Sequence, residues 1–363
     1  MKVVHISPTY FDETSFIGGG ERYPTELATA LAAWVPTTLV SFSKEQRSYR
    51  QGNLDIKIYP AQRLSPGGGQ VEIPKLGYLK EVLAADAVHI HSIYSLVSDL
   101  AAIAASLSGK RVFVTDHGGG SAPILSHKLP VFRGYHHAIA QSQFTYDRLP
   151  VELQKKAIVL KGGVDTQRFS PDSRQSKEKK ILFVGRILPH KGVNYLVEAF
   201  RLLARPDYRL AIVGRAYHQE FYQHLQQLAE GLPVDFIHDA DDERLLQEYR
   251  TATVTVLPSV HTDCYGNYTP IPELMGFTLL ESQACGTPVI CSEAGAMAEF
   301  VDPGKTGFVV PENSAEAIAS ALQHFLDLSP TELVNYQVWC CQWMENFSWS
   351  SIAQELLKVY AKT

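Results

Sequence analysis

Short apolar runs alternate with longer stretches of helical period along almost the whole chain. Residues 3–7, VVHIS, have the length and β-branched content of a buried strand. A helix is predicted over 21–34, with Leu27, Ala30, Leu31 and Trp34 on one face. Pro24 falls in its predicted first turn, where a missing amide is tolerated. Strands are then predicted at 37–42 (TTLVSF), 55–60 (DIKIYP), 87–92 (AVHIHS), 111–117 (RVFVTDH), 137–142 (HAIAQS) and 157–163 (AIVLKGG). A polar stretch without period, 170–180, reads as a linker. A second series follows at 181–187, 209–215, 234–240, 253–259, 287–293 and 307–310. Strands alternating with helices in this way predict parallel, doubly wound α/β domains. Two are expected, over 1–172 and 173–346. The amphipathic segment 347–363 is expected to form a helix packing back on the first.

The composition fits that picture. Of 363 residues, 45% are hydrophobic and 20% charged, as in a globular protein with real cores. A net charge of -5 argues against a general nucleic-acid binder. Residues 1–172 hold 18 basic and 15 acidic residues, and the remainder 15 and 23. A slightly basic first half is compatible with peripheral contact to a membrane surface. Five cysteines without metal or disulfide spacing read as free thiols of a reducing compartment. The start MKVVHISPTY reads as a strand, not a signal peptide, and no apolar run is long enough to span a bilayer. A cytoplasmic protein, at most at the membrane's inner face, is expected.

The densest chemistry lies in PELMGFTLLESQACGTPVI, residues 272–290. Glu273 sits on a loop beyond a predicted strand, Gly276 precedes a helix that Glu281 is expected to open, and a new strand follows. The carboxyl ends of parallel strands form the rim where ligands bind in open α/β sheets. Helix-start amides there suit an anion, and two carboxylates suit sugar hydroxyls. Arg186 and Lys191, in VGRILPHKG after another strand, bring two positive charges to the same rim. His117 ends a strand beside three glycines, and Gly18-Gly19-Gly20-Glu21 opens a helix. His89 and His91 alternate on one strand with no third metal ligand apparent, so packing is the simpler reading, one inside and one near the rim. Asp239 and Asp241 flank an alanine before a helix, where an N-cap role suffices and no metal is expected.

These motifs together resemble the retaining family-four glycosyltransferases of GT-B fold. The resemblance is strong over 181–310 and looser before it. Gly162 stands where the family has an asparagine. The resemblance implies two facing Rossmann-like domains with a cleft between them. It implies a donor diphosphate held by Arg186, Lys191, Gly19, Gly20 and the amides around Gly276, Phe277 and Thr278. It implies that Glu281 holds the ribose, that Glu273 orients the sugar ring, and that His117 contacts the sugar's hydroxymethyl end. His238 becomes a candidate for the base site. The implied activity is metal-independent, with no cofactor. A hexose, with UDP-glucose the expected donor, passes with retention to a saccharide or lipid-linked acceptor, and nucleic acid plays no part. The loops at 9–17, 63–75 and 121–133 match no motif and are where acceptor recognition is expected. A nucleotide-sugar epimerase and a silent nucleotide-sugar binder are the alternatives. An epimerase would need facing acid/base carboxylates rather than a cationic clamp.

Overall fold

A computed structural model describes residues 1–10, 19–64, 71–118, 125–126 and 128–362. The chain forms two compact units, Met1–Gly163 with Trp349–Thr363, and Val164–Ser348. The division falls at 163/164 rather than at 172. The Val164 amide donates to the Phe347 carbonyl at 2.8 Å, and Phe169 is buried against Tyr249, so this stretch is tied into the second unit.

In the first unit, β1 (Val3–Tyr10), β2 (Thr37–Ser43), β3 (Arg47–Gln51), β4 (Leu54–Leu64), β5 (Val71–Pro74), β6 (Ala87–His91), β7 (Arg111–Thr115), β8 (His137–Ala140) and β9 (Ala157–Val159) form one sheet. Its order is β3-β4-β2-β1-β6-β7-β8-β9, with β5 pairing β4. The strands from β4 to β9 run parallel, and β3 and β5 add antiparallel to β4. That antiparallel edge is not predicted, because every residue of β3 is exposed and carries no apolar alternation.

The first helix, Gly19–Ala32, buries Tyr23, Pro24, Leu27, Ala28 and Leu31. It starts two residues earlier than expected, which moves Pro24 out of the first turn. Trp34 lies beyond its end and is 54% exposed, so the predicted apolar face is shifted by the real helix limits. The helix Trp349–Lys362 packs on this one within the first unit. Of the three unmatched loops, 11–17, 65–70, 121–124 and 127 fall outside the described residues, as does Gly18.

The second unit contains β10 (Lys180–Val184), β11 (Arg209–Val213), β12 (Val234–Ile237), β13 (Val254–Leu257), β14 (Val289–Ser292) and β15 (Gly307–Val310). All pairings are parallel, in the order β12-β11-β10-β13-β14-β15. This is the 3-2-1-4-5-6 order of doubly wound dinucleotide-type sheets, with its reversal of direction between β10 and β13. Helix Val193–Leu203 places Val193, Leu196, Val197 and Phe200 in the core, the spacing of a buried helical stripe. The predicted linker ends before Lys180, which opens β10. Lys180 is buried because its ammonium pairs with Glu248 at 2.6 Å.

Candidate active site

The reversal point of the second sheet carries the predicted cations. Gly185 and Arg186 follow β10, and a short 3-10 turn, Pro189–Lys191, leads through Gly192 into helix Val193–Leu203. Gly192 has φ +65°, and a Cβ there would lie 2.0 Å from the Pro258 carbonyl oxygen. Only glycine lets this turn press against the loop leaving β13. The Val260 amide donates to the His190 carbonyl at 2.8 Å and closes the contact.

This packing turns Lys191 inward. Its Nζ lies 2.5 Å from Glu273 Oε1 and 3.3 Å from the Pro272 carbonyl. Ser259 Oγ donates to the same carboxylate oxygen at 3.1 Å. The Lys191 and Glu273 side chains are 9% and 14% exposed, so the pair is largely withdrawn from water. An ammonium has three donors, and two are used here, which leaves one for an anion. Arg186 is exposed and makes no hydrogen bond or ion pair among the described residues. Between the two cations His190 is pushed down to about 4, by burial first and then by the neighbouring Lys191 charge. It therefore stays neutral at pH 7.

Glu273 is fixed from behind by a residue that sequence patterns did not single out. Gly295, at φ +66°, lies so close that a Cβ would sit 2.1 Å from the Glu273 carbonyl oxygen. The Ala296 amide donates to that carbonyl at 3.0 Å. We expect Gly295→Ala to displace Glu273 and to lower any activity that depends on it by at least ~10-fold, as misplacement of a positioned group does. Turnover at the wild-type level in a folded Gly295→Ala protein would show that the contact is not needed.

Gly276, at φ +79°, is the N-cap of helix Phe277–Ala284. The helix therefore begins four residues before Glu281, which lies in its second turn and does not open it. Glu281 is buried, and Tyr249 donates to its Oε2 at 2.8 Å. Thr278 Oγ1 donates to the Val184 carbonyl at 3.0 Å, which ties the helix start to β10. At Thr278 the hydroxyl is thus committed to the fold, and the backbone amide is the group left to face a ligand. His238 has both ring nitrogens engaged, with the Gly214 carbonyl at 2.7 Å and the Tyr222 hydroxyl at 2.9 Å. Only its ring face is left for stacking. Asp241 caps helix Asp242–Thr251 by accepting the Arg244 amide at 2.8 Å.

In the first unit, His117 follows β7 and is half-buried. Asp116 carries the turn by accepting the Ile93 and Gly118 amides at 3.2 and 3.3 Å. Tyr23, from the first helix, sets its ring 4.8 Å from that of His117. Gly19 and Gly20 are exposed at the start of the same helix. His89 and His91 are both buried, so neither reaches the rim. Parallel pairing sets His5 opposite His89 at the point where this sheet also reverses order. Among the described residues no group of three or more His, Cys, Asp or Glu is arranged to hold a metal.

Residues 165–336 match the family Glycosyl transferases group 1, and residues 17–168 match Glycosyltransferase Family 4. The two units carry glycosyltransferase domains. The D-inositol 3-phosphate glycosyltransferase 2 of Catenulispora acidiphila is 32% identical over 222 residues, 55% of this chain and 49% of that protein. That of Jonesia denitrificans is 30% identical over 58% of this chain and 52% of its own length. The chain thus spans about half the length of the curated relatives it matches. Solved structures give the fold over nearly the whole chain, and that fold is GT-B. A glycosyltransferase from Rickettsia africae superposes with a TM-score of 0.76 at 20% identity, covering 99% of this chain and 98% of that one. HepE from Anabaena, solved with UDP, superposes at 0.72 and 16% identity, with both chains fully covered.

Arg186, Lys191, Glu273, Gly276 and Glu281 all fall in the group 1 domain, and His117, Gly19 and Gly20 in the family 4 domain. The structure adds Ser259 and Gly295 around Glu273, and His5 and His91 behind His117. Sequence patterns mark His91 only for packing and give Ser259, Gly295 and His5 no role, since each acts on a partner distant in the chain.

Proposed function

We propose that this chain is a retaining, metal-independent hexosyltransferase. It would take the sugar from a nucleoside-diphosphate donor, with UDP-glucose the expected one, and pass it to a saccharide or lipid-linked glycan. The observation that carries this reading is the Lys191–Glu273 pair beside an uncommitted Arg186 at the sheet's reversal point. Two cations at that rim suit a diphosphate, which is the leaving group of such a reaction. The carboxylate that Lys191 holds suits the hydroxyls of the attached sugar. HepE has been solved with UDP-glucose, and that donor is carried here as part of the proposal.

In the proposed reaction the acceptor oxygen bonds to the anomeric carbon as the bond from that carbon to the diphosphate breaks. The acceptor proton passes to the departing phosphate oxygen on the same face. Arg186 and the remaining Lys191 donor stabilise the negative charge that gathers on the diphosphate. Glu273, oriented by Lys191 and Ser259, holds the ring while positive charge develops on it. Incubation with UDP-glucose and a panel of glycans tests the reading. UDP release that depends on acceptor and survives EDTA is expected. Loss on chelation, restored by Mg²⁺ or Mn²⁺, would overturn the metal-independent mechanism.

The two glutamates should separate in calorimetry. Glu281→Ala is expected to weaken UDP and UDP-glucose alike, because contacts to ribose are the same before and after reaction. Glu273→Ala should leave UDP affinity nearly intact and lower turnover instead. Equal loss of UDP affinity in both variants would reverse this division of roles.

A further inference from the structure

Two histidines on strands of the first sheet, His5 and His91, and one just past the end of β7, His117, form a continuous chain. His5 Nδ1 lies 2.9 Å from His91 Nε2, and His91 Nδ1 lies 3.0 Å from His117 Nε2. The rings stack, with centroids 5.2 Å apart at each step. His5 and His91 are fully buried. His117, at the outer end, is half-buried, and its Nδ1 has no hydrogen-bond partner among the described residues. His89 stacks alongside but stands outside the chain. Its two nitrogens are taken by Tyr360 and Thr115.

Burial pushes all three imidazoles toward the neutral form, His5 and His117 down to about 3. A neutral imidazole has one N–H, so two successive bonds orient in only two ways. In one, every ring donates through Nε2, and the innermost proton lies on His5 Nε2. That atom is buried without a hydrogen-bond partner. In the other, every ring donates through Nδ1, and His5 Nε2 is only a lone pair. A buried N–H without an acceptor is the rarer and costlier of the two defects. The second orientation is therefore favoured, and it ends with a proton on His117 Nδ1, the atom left open.

We propose that His5 and His91 are positioning residues that lock His117 as an Nδ1–H donor, available to an oxygen of the bound sugar and unable to act there as a base. The sugar as recipient rests on the functional reading above, whereas the relay rests on the geometry alone. His117 then recognises an acceptor lone pair on the ligand, not a donated proton. Its role is recognition and orientation.

Long-range nitrogen–proton correlation spectra of the full chain, with ¹⁵N-labelled histidine, read the tautomers directly. His117→Gln identifies the His117 signals. At pH 7 the wild-type protein is expected to carry the His117, His91 and His5 protons on Nδ1. His91→Leu removes the inner donor, so His117 should shift toward the Nε2–H form, and transfer should fall about ten-fold, the scale for one misdirected hydrogen bond. His91→Asn places an amide N–H where Nδ1 stood. It should keep His117 on Nδ1–H, with a rate close to wild type.

A wild-type His117 protonated on Nε2 overturns the proposal without recourse to any variant. So does a His91→Leu protein whose His117 tautomer is unchanged. Nδ1–H signals in a protein that releases no nucleoside diphosphate from any sugar donor would uphold the relay and overturn the functional reading instead.

Discussion

Lys191→Ala is expected to lower UDP release from UDP-glucose by two to three orders of magnitude, and to weaken the second unit as well. Two effects act together. The first is loss of a preorganised cation beside the leaving diphosphate, a change on the order of 2–4 kcal/mol in the transition state. The second falls on Glu273, whose carboxylate is 14% exposed and lies 2.5 Å from the lost ammonium. Breaking a buried pair from one side costs about 3–5 kcal/mol, of which a partly exposed site with Ser259 still donating should lose only a fraction. The double variant Lys191→Met/Glu273→Gln should recover stability, because no charge is left stranded, but not activity. Denaturant unfolding beside single-turnover UDP release separates the two effects. A Lys191→Ala enzyme with wild-type turnover would remove this residue from the clamp.

Acid should melt the first unit well before ordinary carboxylate titration would. His5, His89, His91 and His117 all have pKa values depressed below 6.5, by burial first, with neighbouring histidine charge adding at His89 and His91. The unfolded chain binds their protons near 6.5, while the folded chain resists to about 3 at His5 and His117. Between those values the unfolded state holds more protons, so stability is fully present above 6.5 and falls with falling pH. Each group contributes about 1.4 kcal/mol per pH unit, so the three fully buried histidines give roughly 4 kcal/mol per unit. A net stability of about 5 kcal/mol would then be exhausted within roughly one and a half units below 6.5, and one of about 10 kcal/mol within roughly three. Thermal melts followed by circular dichroism from pH 7 to pH 4 should show a steep drop in Tm. A Tm that stays level to pH 5 would mean that these histidines titrate normally.

The strands, the two-unit plan and the rim residues were legible because each is written locally. Parallel strands buried on both faces read as unbroken apolar runs, and the residues just past their ends are named by position alone. Arg186, Lys191 and Glu273 could be nominated in that way, but not their pairing. Lys191 reads as free in sequence, and only the close turn at Gly192 carries it to Glu273. The β3 edge left no pattern because all its residues face water. Glu281 was displaced by one helical turn because the positive φ of Gly276, which fixes where the helix starts, is a backbone property. His5, His91 and His117 lie far apart in sequence, and strand order alone makes them neighbours.

The helix Trp349–Lys362 belongs to the first unit although the whole second unit precedes it in the chain. Its Tyr360 is fully buried, contacts His89 and offers its carbonyl to Arg111 at 2.6 Å, and Trp349 donates to Glu26 at 2.5 Å. During synthesis, then, the unit begun first cannot be finished until the other has left the ribosome. The nascent first unit waits with the surface that receives Tyr360 uncovered, while residues 164–348 are made and can fold. A pause or premature stop between 311 and 348 would yield a complete second sheet and a first unit still open to solvent, an apolar surface for chaperones to recognise.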